Sequence, residues 1–363
     1  MPVRSYQILG LELAPDVLDW GAVEEVKDVL FSQTEMFTSE HTLQVQNASA
    51  IQGSSSFGKY SPSNVQSPFY GRSLQLLPTT LSLDGVVLFS GLLRDIQLDH
   101  GAKTASIVSQ NYFTAAAASN AVLTASGNPA YIVERLLALA GLSSYVNAAS
   151  FVQAGAGSAA AGATISVTYA AGSTTSVLSA VQAVCNLCSL SCYVRGGQII
   201  LQAWHPYQGN NSGIKWSIPS SAVYSYGTLT YAYEALSNSV TMAYGSNGQY
   251  SITNQASVLQ NGINTPTVFN AVTGSAIAVP NLASAEYFSR LFLQRASSLR
   301  RQGVLTVGPS LAQAHIGDRV LVNAPNWGEA PIPFEIIETH LKLKDLSSDL
   351  TIAELPTLAG DAL

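Results

Sequence analysis

The sequence predicts an α+β fold that is mainly β, with a small α/β segment inserted, and three observations carry that prediction. Short runs of alternating apolar and polar residues recur towards both ends of the 363-residue chain, the mark of half-buried strands. Turn dipeptides such as Asp84-Gly85 and Gly196-Gly197 separate neighbouring runs, as in hairpins. Between residues 128 and 190 the apolar spacing changes to that of amphipathic helices.

Residues 1–113 read as an N-terminal β domain. Thr42–Gln46 alternates as TLQVQ, and Leu74–Leu77 opens a second extended region. Between them, residues 50–68 (AIQGSSSFGKYSPSNVQSP) are rich in Gly, Ser and Pro and read as a long loop, a length usually tied to function or interfaces. In LSLDGVVLFSGLLRDIQLD, residues 81–99, Asp84-Gly85 turns the chain and Gly91 marks a bulge or a second turn.

Residues 114–205 read as the α/β insert, two helices plus a hairpin. Asn128 is an N-cap with Pro129 at the first helical position. Ile132, Val133, Leu136, Leu137 and Ala140 share one face, and Gly141 ends the helix. Residues 147–173 are an Ala/Gly/Ser stretch enclosing one strand, Thr164–Tyr169. A second helix starts near Ser173–Ser176 and carries Val177, Val181, Val184, Cys185 and Cys188 on its apolar stripe. The hairpin LSCYVRGGQIILQAW follows, turning at Gly196-Gly197.

Residues 206–222 read as a linker, and residues 223–363 as C-terminal β structure with one helix. Strands are expected in LTYAY (229–233) and in NSVTMAYGSNGQYSIT (238–253), where Val240, Met242 and Tyr244 alternate into a GSNG turn. The helix spans roughly Leu282–Arg301, with Phe288, Leu291, Phe292 and Leu299 apolar and Arg295, Arg300 and Arg301 at its end, where positive charge suits the helix dipole. GVLTVG, RVLVNAP, FEIIETHLKLKD and DLTIAEL complete the strands.

Composition narrows the function. Hydrophobic residues make up 47% of the chain and charged residues only 10%, against about 25% charged in an ordinary soluble domain. Disordered chains combine low hydrophobicity with high charge, so disorder does not account for this. No stretch approaches ~18 uninterrupted apolar residues. A weakly charged surface fits subunits that lie permanently against one another, since interface cores are depleted of Lys, Glu and Asp. The opening residues, MPVRSYQILGLELAPDVLDW, lack the apolar run and cleavage site of a signal peptide, which points to synthesis in a reducing cytoplasm. Together with the amphipathic helices, that argues against an outer-membrane barrel. Net charge is −6, and the acids are front-loaded: Glu12, Asp16, Asp19, Glu24, Glu25, Asp28, Glu35 and Glu40 face only Arg4 and Lys27. Such a surface does not bind nucleic acid by counterion release, yet lets it pass without sticking.

The order of these features resembles a family. VVLFSGLLRDIQLDHGAKTASIVSQN (86–111) precedes NPAYIVERLLALAGL (128–142) and TTSVLSAVQAVCNLCSLSCYVRGGQIIL (174–201). NSVTMAYGSNGQYSITN, ASVLQNG, SAEYFSRLFLQRAS and IGDRVLVNAP follow. The series is similar to hub proteins of bacteriophage tail baseplates and tail tips, including contractile-tail hubs and type VI spike bases. It spans most of residues 74–355 and contains no enzyme motif. The resemblance implies a homotrimer whose tube-like β-barrel domains form a pseudo-sixfold ring. That ring adapts a sixfold tail tube to a threefold central spike or fibre and lines a channel for genomic DNA. It also implies tail tube or tube-initiator proteins above, a spike or tip protein below, the tape measure protein as a further partner, and a place in the virion. The alternatives are a hexameric ring component, such as a distal tail protein or tube-terminal adaptor, and a carbohydrate- or receptor-binding tail module.

The residues that could carry chemistry give no catalytic, cofactor or metal site. None of His41, His100, His205, His315 and His340 lies in a GxSxG or HExxH context; His315, before a turn, and His340, in a strand, read as structural or surface residues. Glycoside hydrolysis needs two carboxylates about 5–9.5 Å apart, and the acids are scattered singly. Nothing matches GxxxxGK[ST] or GxGxxG after a strand. Of Trp20, Trp204, Trp216 and Trp327, the last sits in the loop APNWGEAP and is the candidate for an exposed sugar-stacking ring, with loop packing favoured over it. Arg290, Arg295, Arg300 and Arg301 suit either a docking patch for an acidic neighbour or dipole compensation. Cys185, Cys188 and Cys192, in CNLCSLSC, could form a zinc site only with His205 as fourth ligand. Cys185 and Cys188 lie on the apolar stripe and Cys192 in the following strand on the face of Val194, which favours packing.

Overall fold

The computed structural model describes residues 3–26, 40–48, 58–72, 76–203, 213–231, 236–298, 300–324, 327 and 331–355. Lys27, Asp28, Glu35, residues 50–57, Leu74, Trp204, His205, residues 206–212 and Leu299 therefore lie outside the described residues, with the readings placed on them.

The first part supplies β1 (Arg4–Ile8), β2 (Leu11–Glu12), β3 (Val17–Asp19), β4 (Ala22–Val26), β5 (Glu40–Gln46), β6 (Pro78–Leu83), β7 (Val86–Asp99) and β8 (Thr104–Gln110). Asp84 and Gly85 both take positive φ, 50° and 79°, the geometry that matches strand twist in a two-residue hairpin. Gly91 is neither turn nor bulge, contrary to the sequence reading. The register shifts of β7 fall on either side of it, at Leu81/Ser82 and Leu93/Asp95. Its role is close approach: a Cβ there would lie 2.1 Å from the Gln110 carbonyl oxygen.

The insert holds α1 (Phe113–Ala118), β9 (Leu123–Gly127), α2 (Pro129–Leu139), α3 (Ala148–Ala160), β10 (Ile165–Tyr169), α4 (Val177–Cys188), β11 (Leu190–Arg195) and β12 (Gln198–Ala203). It therefore has four helices, where the sequence predicted two. In α3, AASFVQAGAGSAA, the buried line is Phe151, Ala154, Gly155 and Ser158; one large apolar residue is too few to display the period. Alanine propensity and the Asn147 cap, which accepts the Ser150 N–H at 3.0 Å, make the helix instead. The expected signals of α2 hold: Asn128 accepts the Ala130 N–H at 2.9 Å and Gly141 follows with φ 72°.

The remainder comprises β13 (Ile214–Ile218), β14 (Val223–Tyr231), β15 (Ser239–Tyr244), β16 (Gly248–Thr253), α5 (Gln255–Asn261), β17 (Pro266–Asn270), β18 (Ile277–Ala278), α6 (Leu282–Ala296), β19 (Arg301–Val307), β20 (Arg319–Val322), β21 (Ile332–Lys342) and β22 (Ser347–Glu354). Two readings are corrected here. Residues 214–218, assigned to a linker, form β13 and pair parallel with β20. The helix expected to reach Arg301 stops at Ala296, and Arg301 opens β19 as the antiparallel partner of Tyr231; the demands of the sheet override a helical run ending in Ser-Ser.

Fourteen strands form one sheet, in the order β14-β19-β22-β21-β4-β5-β8-β7-β6-β1-β2, with β13 and β20 joined to β21 and β3 to β5. Two apolar cores line it. Tyr6, Leu43, Leu81 and Ile107 belong to the first; Leu305, Val320, Phe334 and Ile352 belong to the second. The strand common to both regions is β21. Its first part pairs with β20 and its last part with β4, with a register shift at Ile336/Glu338 between them.

A third core lies in the α/β body. Ile132, Leu136, Ile165 and Val181 of the insert pack there with Met242, Val279 and Phe288, and β10 pairs with β18. Residues 236–298 thus share part of their apolar packing with the insert, while Val240, Phe292, Leu293 and Ala296 form a small cluster of their own. The β11–β12 hairpin is the wedge between cores: Val194 and Leu201 face the α/β body while Tyr193 and Ile200 pack on the second sheet core. Packing on both faces explains the unbroken burial of β11 from Leu190 to Val194.

Candidate functional site

Strand periodicity turns one set of side chains towards the cores and the other outward. On the outward face, a polar row crosses five strands. Ser225 Oγ donates to Thr306 Oγ1 at 2.9 Å, and Thr306 Oγ1 donates to Asp349 Oδ1 at 2.7 Å. Lys342 Nζ lies 2.9 Å from Asp349 Oδ2, and His340 Nδ1 lies 2.8 Å from Glu24 Oε1. Ser225, Thr306, Asp349, His340 and Glu24 stand opposite one another in register on β14, β19, β22, β21 and β4. Burial opposes ionisation of Asp349, but Lys342 and Thr306 outweigh it and hold the carboxyl below its usual value.

The face continues over β5, β8 and β7. Glu40, Thr42, Gln44 and Gln46 are the exposed positions of β5, alternating with buried His41, Leu43 and Val45. Gln44, Ser106 and Gln97 form one cross-strand row, and Gln46, Thr104 and Asp99 the next. Arg94 Nη1 is 2.8 Å from Glu40 Oε2, and Gln110 Nε2 donates to the same oxygen at 3.3 Å. Glu338 accepts from Thr351 Oγ1 at 3.1 Å. This is an extended, amide- and hydroxyl-rich surface whose charged groups are mainly acidic.

At the seam between the two sheet regions, consecutive glutamates of β4 take histidines on opposite faces. Glu24 meets His340 outside, and Glu25, buried, meets His315 Nδ1 at 3.0 Å. The α/β body is fastened nearby through Asp318, only 3% exposed. Its carboxylate takes Arg195 at 2.7 Å, Lys215 at 3.0 Å and the Trp216 Nε1–H at 2.8 Å, and accepts the His315 backbone N–H at 3.2 Å. Burial works against the charge, yet these four donors keep its pKa below the ordinary value.

The described residues among those singled out in the sequence lie in several separate parts of the fold. His41 is buried in the first core, His315 and His340 are held by glutamates, and His100 lies in the turn after β7. Trp327 is the packing anchor: its ring lies over Gly303 and makes edge contacts with Tyr226 and Phe334, centroids 5.8 and 6.1 Å apart. The four arginines do not form one exposed patch. Arg295 and Arg300 are 3% and 6% exposed, Arg301 is bound to Glu354 at 2.5 Å, and Arg290 pairs with Glu286 at 2.7 Å. Burial beside Arg295 pushes the Arg300 pKa down to about 9. Cys185, Cys188 and Cys192 are free thiols within the α/β core. Among the described residues, no three or more His, Cys, Asp or Glu side chains gather as metal ligands, and no helix is long and apolar enough to cross a membrane.

No family model and no curated protein matches the chain. Solved structures do. The chain is similar to a tail protein from Neisseria meningitidis MC58, with a TM-score of 0.59 and 11% identity over 97% of this chain and 96% of that one. It is similar to the 43 kDa tail protein of prophage MuSo2 from Shewanella oneidensis, TM-score 0.56, 10% identity, over 97% and 98%. An E. coli type VI secretion system component, described as structurally similar to the T4 bacteriophage tail proteins gp27 and gp5, matches with TM-score 0.50 and 10% identity over 97% of this chain and 77% of that one. The fold is that of phage tail proteins, mainly β with large antiparallel sheets, and the expected likeness to tail-tip hubs holds at the level of fold.

Proposed function

We propose that this chain is a non-enzymatic structural component of a phage tail, a hub at the baseplate or tail tip and a part of the virion. In this reading three copies form a ring between the tail tube and a central spike or fibre. The observation that carries it is the single sheet that passes through two apolar cores within one chain. Two sheet units per chain give a three-copy ring six sheet units, the match needed between a sixfold tube and a threefold tip. Cyclic closure also removes sheet edges, which otherwise invite uncontrolled pairing. The polar outward face, with its row from Ser225 to Glu24, is the wall that DNA passes, because excess carboxylate repels a phosphate backbone. The neighbours in this reading are tube proteins above, a spike protein below and the tape measure protein.

Native mass spectrometry of the assembled full chain tests it. Three copies are expected, and six would establish the hexameric tail-ring alternative instead.

A further inference from the structure

The strands of the polar face contain few basic side chains, and each exposed or half-buried one is held by a carboxylate. In β4, β5, β7, β8, β14, β19, β21 and β22 these are Arg94, Arg301, His340 and Lys342. Arg94 lies 2.8 Å from Glu40, His340 2.8 Å from Glu24, Lys342 2.9 Å from Asp349 and Arg301 2.5 Å from Glu354. Among the described residues, the acids Asp95, Asp99 and Glu338 on the same strands are bonded to neutral groups: Gln97, the Ala102 N–H and Thr351.

Stability does not explain the three outward pairs. Their side chains are between 33% and 57% exposed, and pairs that open to water are typically worth ~0–1 kcal/mol. Their geometry matters more than their energy. Glu24, Glu40 and Asp349 each come from a different strand than the cation they hold, so folding of the sheet itself brings a carboxylate over every cation of the row. A free Lys or Arg on this wall would exchange counterions with a passing phosphate backbone and hold it.

We propose that Glu24, Glu40 and Asp349 act as charge masks: they keep the His340 ring, Arg94 and Lys342, in that order, from binding a polyphosphate chain such as duplex DNA. This rests on the reading of the polar face as the channel wall. What makes the wall slippery is then the pairing of each cation, and net negative charge alone is insufficient.

Two full-length variants with the same change in formal charge separate these ideas. Glu24→Gln, Glu40→Gln, Asp349→Asn unmasks the cations; Asp95→Asn, Asp99→Asn, Glu338→Gln removes as many carboxylates and unmasks none. Retention of a fluorescent DNA duplex is measured at pH 7, after circular dichroism and native mass confirm folding and assembly equal to wild type. The unmasked variant is expected to retain duplex, with affinity falling about tenfold between roughly 50 and 200 mM salt for two freed cations per copy. The control variant and the wild type are expected to retain none. Equal retention by both variants, or none by either, overturns the masking role. Phage carrying the unmasked variant give a separate readout: slowed DNA release supports the channel reading. Normal release by a protein that binds duplex in solution would leave masking intact and remove this face from the channel.

Discussion

His41 shows how a single side chain sets a condition on the first sheet core. It is fully buried between Tyr6 and Phe89, with ring centroids 5.4 and 5.6 Å away, and its Nε2–H donates to the Trp20 carbonyl at 2.8 Å. Burial pushes its pKa down to about 4. The unfolded chain takes up this proton near pH 6.5, the folded chain only near 4. The contribution to stability is therefore complete above pH 6.5 and is lost as pH falls through 4. That gap is worth about 3 kcal/mol. Urea unfolding of the wild type is expected to show this loss between pH 6.5 and 4, and His41→Phe to flatten it. The cysteines make the complementary case. Burial raises the thiol pKa of Cys188 and Cys192, so neither holds the thiolate that alkylating reagents need. Maleimide is expected to label none of the three cysteines in the folded protein and all three in denaturant, as followed by intact mass. Their spacing suggested chemistry; the helical stripe around them, readable in Val177, Val181 and Val184, suggested packing, and burial agrees with the stripe.

Among the elements, the legible ones carry their stop and start signals locally. Asn128-Pro129, Gly141, Asp84-Gly85 and Gly196-Gly197 each sit where backbone geometry demands that residue. The illegible elements draw on distant partners or lack large side chains. α3 is built of alanine and glycine. α5 is seven residues long and is set by its Asn254 cap and by Gly262 at φ 69°. β13 exists only because β20, a hundred residues further on, offers it an edge. The same logic hid the polar face. Glu24 and Glu40 stood out as acids in the sequence, but their partners His340 and Arg94 follow from register between remote strands. Two variants test element-level claims. Asp318→Ala strips the partner from the Trp216 indole and the His315 N–H and from two cations. It is expected to cost about 2–4 kcal/mol and to raise hydrogen exchange selectively in β11 and β12. Gly91→Ala places a methyl group against the Gln110 carbonyl. A loss of about 2 kcal/mol or more is expected, since backbone cannot move aside as a side chain tip can.

At the scale of the whole molecule, the two sheet cores are joined by β4 against β21, over five residue pairs from Glu338↔Val26 to Lys342↔Ala22. Thr339→Pro removes a backbone donor in the middle of that ladder, where β21 has strands on both sides. Calorimetry of this variant is expected to show unfolding split into two transitions, where the wild type shows the two cores melting together. The seam also decides how the molecule carries load. A pull applied to one region and resisted by the other, along the strand axis, runs parallel to β4 and β21. It then strains the bonds of the ladder all at once, like a lap joint. A pull across the strands would open them one at a time, like a zipper. On its buried face the Glu25–His315 pair adds a side-chain tie to this joint. A thrust along the strands would therefore pass through the chain as through a rigid strut, while a sideways one would find its hinge at β4.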